Sequence, residues 1–142
     1  MKLSVLILSF FSIFLFGQDI PKQPNIIFIF ADDWGYGDLS IHNSSFVKTP
    51  NIDRLAKEGA DFQAFSVLNP VCSPSRVAVM TGQYPARHSV HGHFATVASQ
   101  IQRNMPDWLD PNVVMLPRLL QQAGYKTAHF AKWHLTNTHV PD

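Results

Sequence analysis

The feature that most constrains the fold is the apolar segment Asn25–Phe30, which runs directly into a polar, glycine-rich loop containing Asp32 and Asp33. The segment is rich in β-branched and aromatic residues, and polar residues do not alternate with apolar ones. Such a run predicts a β-strand covered on both faces, as in a parallel sheet. Two acidic residues are therefore expected just beyond the end of a buried strand.

Three helices are predicted from local signals. Thr49 and Pro50 predict a helix with Thr49 as its N-cap, ending at Gly59 in a left-handed conformation. The pair Ser73-Pro74 repeats this signal and predicts a helix over about residues 74–80. A third helix is expected from Leu116 to near residue 124.

Two more strands are predicted, at residues 60–68 and 125–131, and residues 84–112 are expected to form a surface loop. Strands that alternate with helices indicate an α/β fold. The fold class predicted is a partial, mostly parallel sheet with flanking helices.

The first residues have a different character from the rest. Lys2 is followed by an apolar run from Leu3 to Phe16 and then by the small residue Gly17, a pattern typical of a secretory signal peptide. The run is shorter than the roughly 20 residues of a membrane-spanning helix, although an uncleaved membrane anchor stays an alternative. The expected organisation is a signal peptide at 1–17, a linker at 18–24 and one domain at 25–142. A secreted or periplasmic protein follows, with no stable membrane anchor after cleavage.

Charge excludes one class of partner. The net charge is +1 with histidines neutral, and the basic residues are not clustered as a nucleic-acid-binding surface requires. No nucleic-acid partner is therefore expected.

Cys72 is the only cysteine in the chain, so an exported protein cannot use it for an internal disulfide. It lies just before the predicted helix at 74–80, whose first N–H groups attract anions and stabilise a thiolate. Arg76, one turn on, offers a fork of donors to a tetrahedral anion. These residues predict an anion site with a potential nucleophile, against the alternative of a buried, inert cysteine.

Asp32 and Asp33 form the second candidate site. Sites in open α/β sheets lie beyond the carboxyl ends of strands, and adjacent carboxylates favour a hard cation such as Ca²⁺ or Mg²⁺. The alternative is a solvated turn, since Asp and Gly are common turn residues.

Lys132 and His134 follow the predicted strand at 125–131 and could share its edge with the two aspartates. Lysine supplies charge and histidine supplies proton transfer near neutral pH. On their own, both are better explained as surface residues.

His88, His91 and His93 have a spacing that could bind zinc, which would need a further ligand. A loop near a substrate entrance, or plain surface, explains them better.

The segment Pro70–Gly82 resembles the first signature of the type I sulfatases, with the core Cys-x-Pro-x-Arg at Cys72 to Arg76. This formylglycine-dependent family belongs to the alkaline-phosphatase-like superfamily. Residues 25–40 resemble its first strand and metal loop, residues 49–60 its first helix, and residues 124–134 its second signature. The second signature departs from the family at Phe130 and Ala131, where a small or aliphatic residue and a glycine are usual.

The resemblance implies a sulfuric ester hydrolase that cleaves sulfate esters through a formylglycine made from Cys72 by a separate maturation enzyme. Arg76, Lys132 and His134 would assist the residue-72 nucleophile. Asp32, Asp33 and residue 72 would hold Ca²⁺, with Mg²⁺ as the alternative. The substrate expected is a sulfated small molecule or glycan.

Family members are several times longer, so the chain is expected to be a truncated N-terminal fragment that binds Ca²⁺ weakly and hydrolyses no sulfate ester at a useful rate. Two other functions stay open: a phosphodiesterase or phosphonate hydrolase of the same superfamily, and a non-catalytic fragment that binds a cation or anion weakly. A cysteine hydrolase is disfavoured because the sequence lacks a convincing His–Asn or His–Asp partner pattern.

Overall fold

The computed structural model describes residues 23–137. They fall into two units, residues 23–30 and residues 31–137. The predicted signal peptide and most of the predicted linker lie outside the described residues. Between residues 23 and 137, no helix combines the length and the apolar character needed to cross a membrane.

Helices are the regular elements of the second unit. The four α-helices are α1 (Pro50–Glu58), α2 (Cys72–Thr81), α3 (Val97–Gln102) and α4 (Leu116–Gln122). Short 3₁₀ helices cover Tyr36–Asp38, Ser40–His42 and Pro85–His88. Helices α1, α2 and α4 confirm the three that the sequence predicts, whereas α3 lies in the segment expected to be loop.

Helix α1 begins as predicted after Thr49, with Pro50 in its first turn. The Thr49 hydroxyl, however, does not cap the helix backbone and donates instead to the Asp53 carboxylate at 2.8 Å. Ser40 donates to the other oxygen of Asp53 at 2.7 Å. The predicted left-handed end at Gly59 is wrong, because this residue has φ −120° and ψ −138°.

Helix α2 starts two residues earlier than predicted, with Val71 as its N-cap. Cys72 is therefore the first residue of the helix, and Ser73 is not a cap. Pro74 is tolerated because the first N–H groups of a helix have no partner within it. The helix ends at Gly82, whose φ of +67° a residue with a side chain rarely adopts.

The core lies around α2 and corrects the prediction that residues 84–112 are a surface loop. Val77, fully buried, contributes from α2. Four of the remaining buried core residues come from the segment expected to be loop, and the last follows the site residues near position 134: Val90, Phe94, Met105, Leu109 and Leu135. Burying one such side chain is worth about 1.5–3 kcal/mol.

The three predicted strands are not confirmed. Residues 25–30, 60–68 and 125–131 belong to no strand among residues 23–137, so the sheet is not confirmed. The pairing that does occur is an antiparallel bridge between Trp108 and Thr136. A strand forms hydrogen bonds only with a neighbouring strand. The side chain of Ile27, which was expected to be covered, is 85% exposed.

Candidate functional site

Three separate segments meet at the amino end of α2. The loop at Asp32 and Asp33, the first residue of α2 and the segment after residue 131 place their polar side chains together. One donor atom each from Asp32, Asp33 and Cys72 lie within 4.8 Å of one another. Asp33 reaches this position with φ +55°, in the left-handed region that costs a residue with a side chain energy.

Lys132 joins the carboxylate to the cysteine. Its ammonium donates a hydrogen bond to Asp32 and lies 3.5 Å from the Cys72 sulfur. The hydrogen bond from Lys132 is the main reason that the pKa of Asp32 lies below its ordinary value. The same bond is the main reason that the pKa of Lys132 is raised. Both groups therefore stay charged across the neutral range.

Arg76 is the buried charge of the site, with 7% of its surface exposed. Its Nη1 donates to the main-chain carbonyl of Lys132 at 2.7 Å, and its Nη2 lies 3.5 Å from Asp32 Oδ1. The Arg76 guanidinium thus links α2 to two other segments. A lysine lacks the planar fork of donors that makes both contacts possible.

The donor set fits a hard divalent cation in part. Two carboxylates supply oxygen ligands of the type that Ca²⁺ and Mg²⁺ prefer. The Cys72 sulfur stands where an oxygen would be if residue 72 were oxidised to formylglycine. Three donors leave half or more of the 6–8 positions around Ca²⁺ to other ligands.

His134 is held by a different neighbour. Its Nε2 lies 3.0 Å from the main-chain carbonyl of Phe94. Since a carbonyl only accepts, this nitrogen carries the proton. The other ring nitrogen, Nδ1, is buried and has no hydrogen-bond partner among the described residues. His134 lies two positions after Lys132, so it adjoins the cluster along the chain.

The histidine-rich segment does not gather into one group. His91 Nε2 lies 2.9 Å from the carbonyl of Arg103. The ring of His93 is 6.4 Å from that of His134, tilted by 52°. His88 contributes instead to an open cavity of about 540 Å³, which is also lined by Arg87 and Trp108. Only His93 therefore lies beside a residue of the candidate site.

Two residues that the sequence did not assign to the candidate site organise this region. Ser73 is fully buried, and its hydroxyl accepts the N–H of Phe94 at 3.0 Å. Phe94, 3% exposed, holds His134 through its carbonyl. A main-chain contact leaves no signature in the residue type, so only the apolar character of Phe94 hinted at burial.

Comparison with known proteins identifies the chemistry that such a site serves in relatives. The family model described as Sulfatase matches residues 24–140. The chain is 38% identical over 126 residues to an N-acetylgalactosamine-6-sulfatase of Rattus norvegicus, covering 85% of this chain and 23% of the relative. It is 37% identical over 135 residues to Arylsulfatase G of the same species, covering 95% of this chain and 24% of the relative.

A solved structure supports the same relationship. It comes from work on the metabolism of multiple glycosaminoglycans by Bacteroides thetaiotaomicron, and it matches with a TM-score of 0.67 and 40% identity. The match covers 80% of this chain and 22% of that chain. This chain thus spans about a quarter of the length of the proteins it matches.

Proposed function

The chain belongs to the sulfatase family, and we propose that residues 31–137 carry the attacking half of a site that hydrolyses sulfate esters. The observation that carries this proposal is the convergence of Cys72, Asp32 and Lys132 from three segments. The Lys132 ammonium contacts both the Asp32 carboxylate and the Cys72 sulfur. Arg76 and Lys132, the two cations near residue 72, match the demands of a reaction that builds negative charge. A metal cation held by the two carboxylates would add to them.

Residue 72 supplies the nucleophile in this proposal. Once oxidised to formylglycine and hydrated, it offers two hydroxyls, one to attack the sulfur of the ester and one to expel the bound sulfate. A maturation enzyme that reads the segment around Cys72 is therefore a required partner. The predicted signal peptide would bring the protein into the secretory or periplasmic route.

Arg76 and Lys132 balance charge around residue 72. Arg76 is fixed by its bond to the Lys132 carbonyl, so its guanidinium needs little reorganisation when a sulfate group enters. Preorganised donors of this kind stabilise charge that develops in the transition state. His134 is the group that accepts a proton from residue 72 in this proposal.

Asp32, Asp33 and residue 72 are the groups that would hold Ca²⁺, with Mg²⁺ as the alternative. The cation supplies Lewis-acid polarisation of the sulfate group when bound. The charge of the bound cation would take over part of the charge compensation that the Lys132 ammonium gives to the Asp32 carboxylate. The substrate class we propose is a sulfated small molecule or glycan, in keeping with the names of the relatives.

The test is a comparison of variants after co-expression with a formylglycine-generating enzyme. The expected result is aryl alcohol release from an aryl sulfate that requires added Ca²⁺ and is lost in Cys72→Ala and Asp33→Asn. Turnover is expected to be slow, because the described donors fill few Ca²⁺ positions. Release that is equal in the Cys72→Ala variant contradicts the proposal.

The rival function is hydrolysis of phosphodiesters at the same site. The same protein is therefore assayed with an aryl phosphodiester at matched concentration. A residue-72-dependent preference for the phosphodiester would replace the sulfatase proposal with this rival. Ca²⁺ binding without any cleavage in either assay would favour a non-catalytic role.

A further inference from the structure

We propose that Ser73 and the Phe94 peptide unit form a relay that fixes the tautomer of His134, so that Nδ1 is the atom that accepts a proton. Ser73 and Phe94 are positioning residues in this account, because they act on the reaction only through His134. The identity of the proton donor rests on the proposed function. The tautomer itself rests on the contacts of the described residues.

The relay begins beside the nucleophile. Ser73 follows Cys72 in the first turn of α2, and its fully buried hydroxyl accepts the Phe94 N–H at 3.0 Å. A buried N–H without a partner is costly, so this bond fixes where the Phe94 main chain lies. The carbonyl of the same residue then accepts from His134 Nε2 at 3.0 Å.

The carbonyl selects one tautomer of the ring. Because it cannot donate, a neutral His134 keeps its proton on Nε2 and leaves the lone pair on Nδ1. Nδ1 is buried and has no hydrogen-bond partner among residues 23–137. A buried acceptor left unsatisfied in this way is uncommon in folded proteins and calls for an explanation. A ligand hydroxyl that donates to Nδ1 provides one.

The proton balance is simple. With residue 72 as the sulfated formylglycine hydrate, its free hydroxyl would give its proton to Nδ1, and the ring would become an imidazolium with both nitrogens protonated. The C–O bond to sulfate would break, sulfate would leave with that electron pair, and the aldehyde would re-form. The Phe94 carbonyl keeps its bond throughout and stabilises the charged ring. His93 is the titratable neighbour of the ring, at 6.4 Å between centroids, and Lys132 lies two residues away.

The experiment is a long-range ¹⁵N–¹H NMR correlation on the full 142-residue chain, at a pH where the ring is neutral. The His134 signal is assigned from its loss in His134→Gln. The expected pattern is that of the Nε2–H tautomer. A wild-type ring protonated at Nδ1 overturns the proposal without any variant.

Ser73→Ala tests the relay, and Ser75→Ala is the matched control. Ser75 is also buried in α2, but its hydroxyl bonds the Asn69 carbonyl instead. Ser73→Ala is expected to raise the population of the minor Nδ1–H tautomer on the order of fivefold, which corresponds to the loss of one typical hydrogen bond. Ser73→Thr, which keeps the hydroxyl, is expected to retain the wild-type pattern.

Equal tautomer ratios in Ser73→Ala and wild type would overturn the role of Ser73. The spectrum does not depend on turnover. A correct tautomer in a protein that cleaves no sulfate ester would count against the proposed function and leave the relay intact.

Discussion

Replacing Ala131 by glycine should stabilise the protein. Ala131 has φ +69°, a left-handed conformation that costs a residue with a side chain about 1–2 kcal/mol. Glycine removes that cost but adds freedom to the unfolded chain worth about 0.4–1 kcal/mol. The net expectation is a gain of about 0.5–1 kcal/mol in the free energy of unfolding. The related family pattern has glycine at this position, which agrees with the observed backbone.

The assay for Ala131→Gly is urea denaturation of the full chain. With a urea dependence of about 1–3 kcal/mol per molar, the midpoint should rise by roughly 0.2–1 M. Ala56→Gly is the matched control, because Ala56 lies inside α1 and glycine there should lower stability by about 1 kcal/mol. A midpoint for Ala131→Gly that falls, as in the control, would refute the reasoning.

Two further predictions concern charge. Arg76→Lys should lower the free energy of unfolding by about 2 kcal/mol, because an ammonium cannot serve both the Lys132 carbonyl and the Asp32 carboxylate; an unchanged denaturation midpoint would contradict this. The hydrogen bond to Asp61 is the main reason that the pKa of His42 is raised above 6.5. The stabilisation of the folded protein by this pair is therefore complete below pH 6.5 and is lost as pH rises through the higher pKa of His42 in the folded state. Proton NMR should show the His42 pKa falling in Asp61→Asn, and an unaltered titration would disprove the role of Asp61.

Helices were predictable because their signals are local. Pro50 marks the start of α1 through backbone geometry that its ring imposes. The start of α2 was misplaced because Ser73 has the chemistry of a cap, yet its hydroxyl serves Phe94 instead.

Strands and the core were not predictable in the same way. The apolar run at 25–30 predicts burial, but a strand forms only where another chain segment offers hydrogen bonds. Val90, Phe94 and Met105 are isolated apolar residues without helical or strand periodicity, so the segment at 84–112 looked like loop. Their burial depends on packing against α2, which no local pattern encodes.

The residues of the candidate site were predictable from the sequence, but the contacts between them were not. The spacing of Cys72 and Arg76 and the adjacent pair Asp32 and Asp33 indicated side chains that the structure brings together. The contact of Lys132 with both Asp32 and Cys72 depends on three segments folding together. The partner of His134 is a main-chain carbonyl, which the sequence cannot mark.

The most direct test of the account is the mass of the peptide containing Cys72 after co-expression with a formylglycine-generating enzyme. A full-length relative processed in the same cells shows that the enzyme is active, and Arg76→Ala should impair the modification. The account predicts a mass at which the thiol has been replaced by an aldehyde. An intact Cys72 thiol beside a fully modified relative would contradict it.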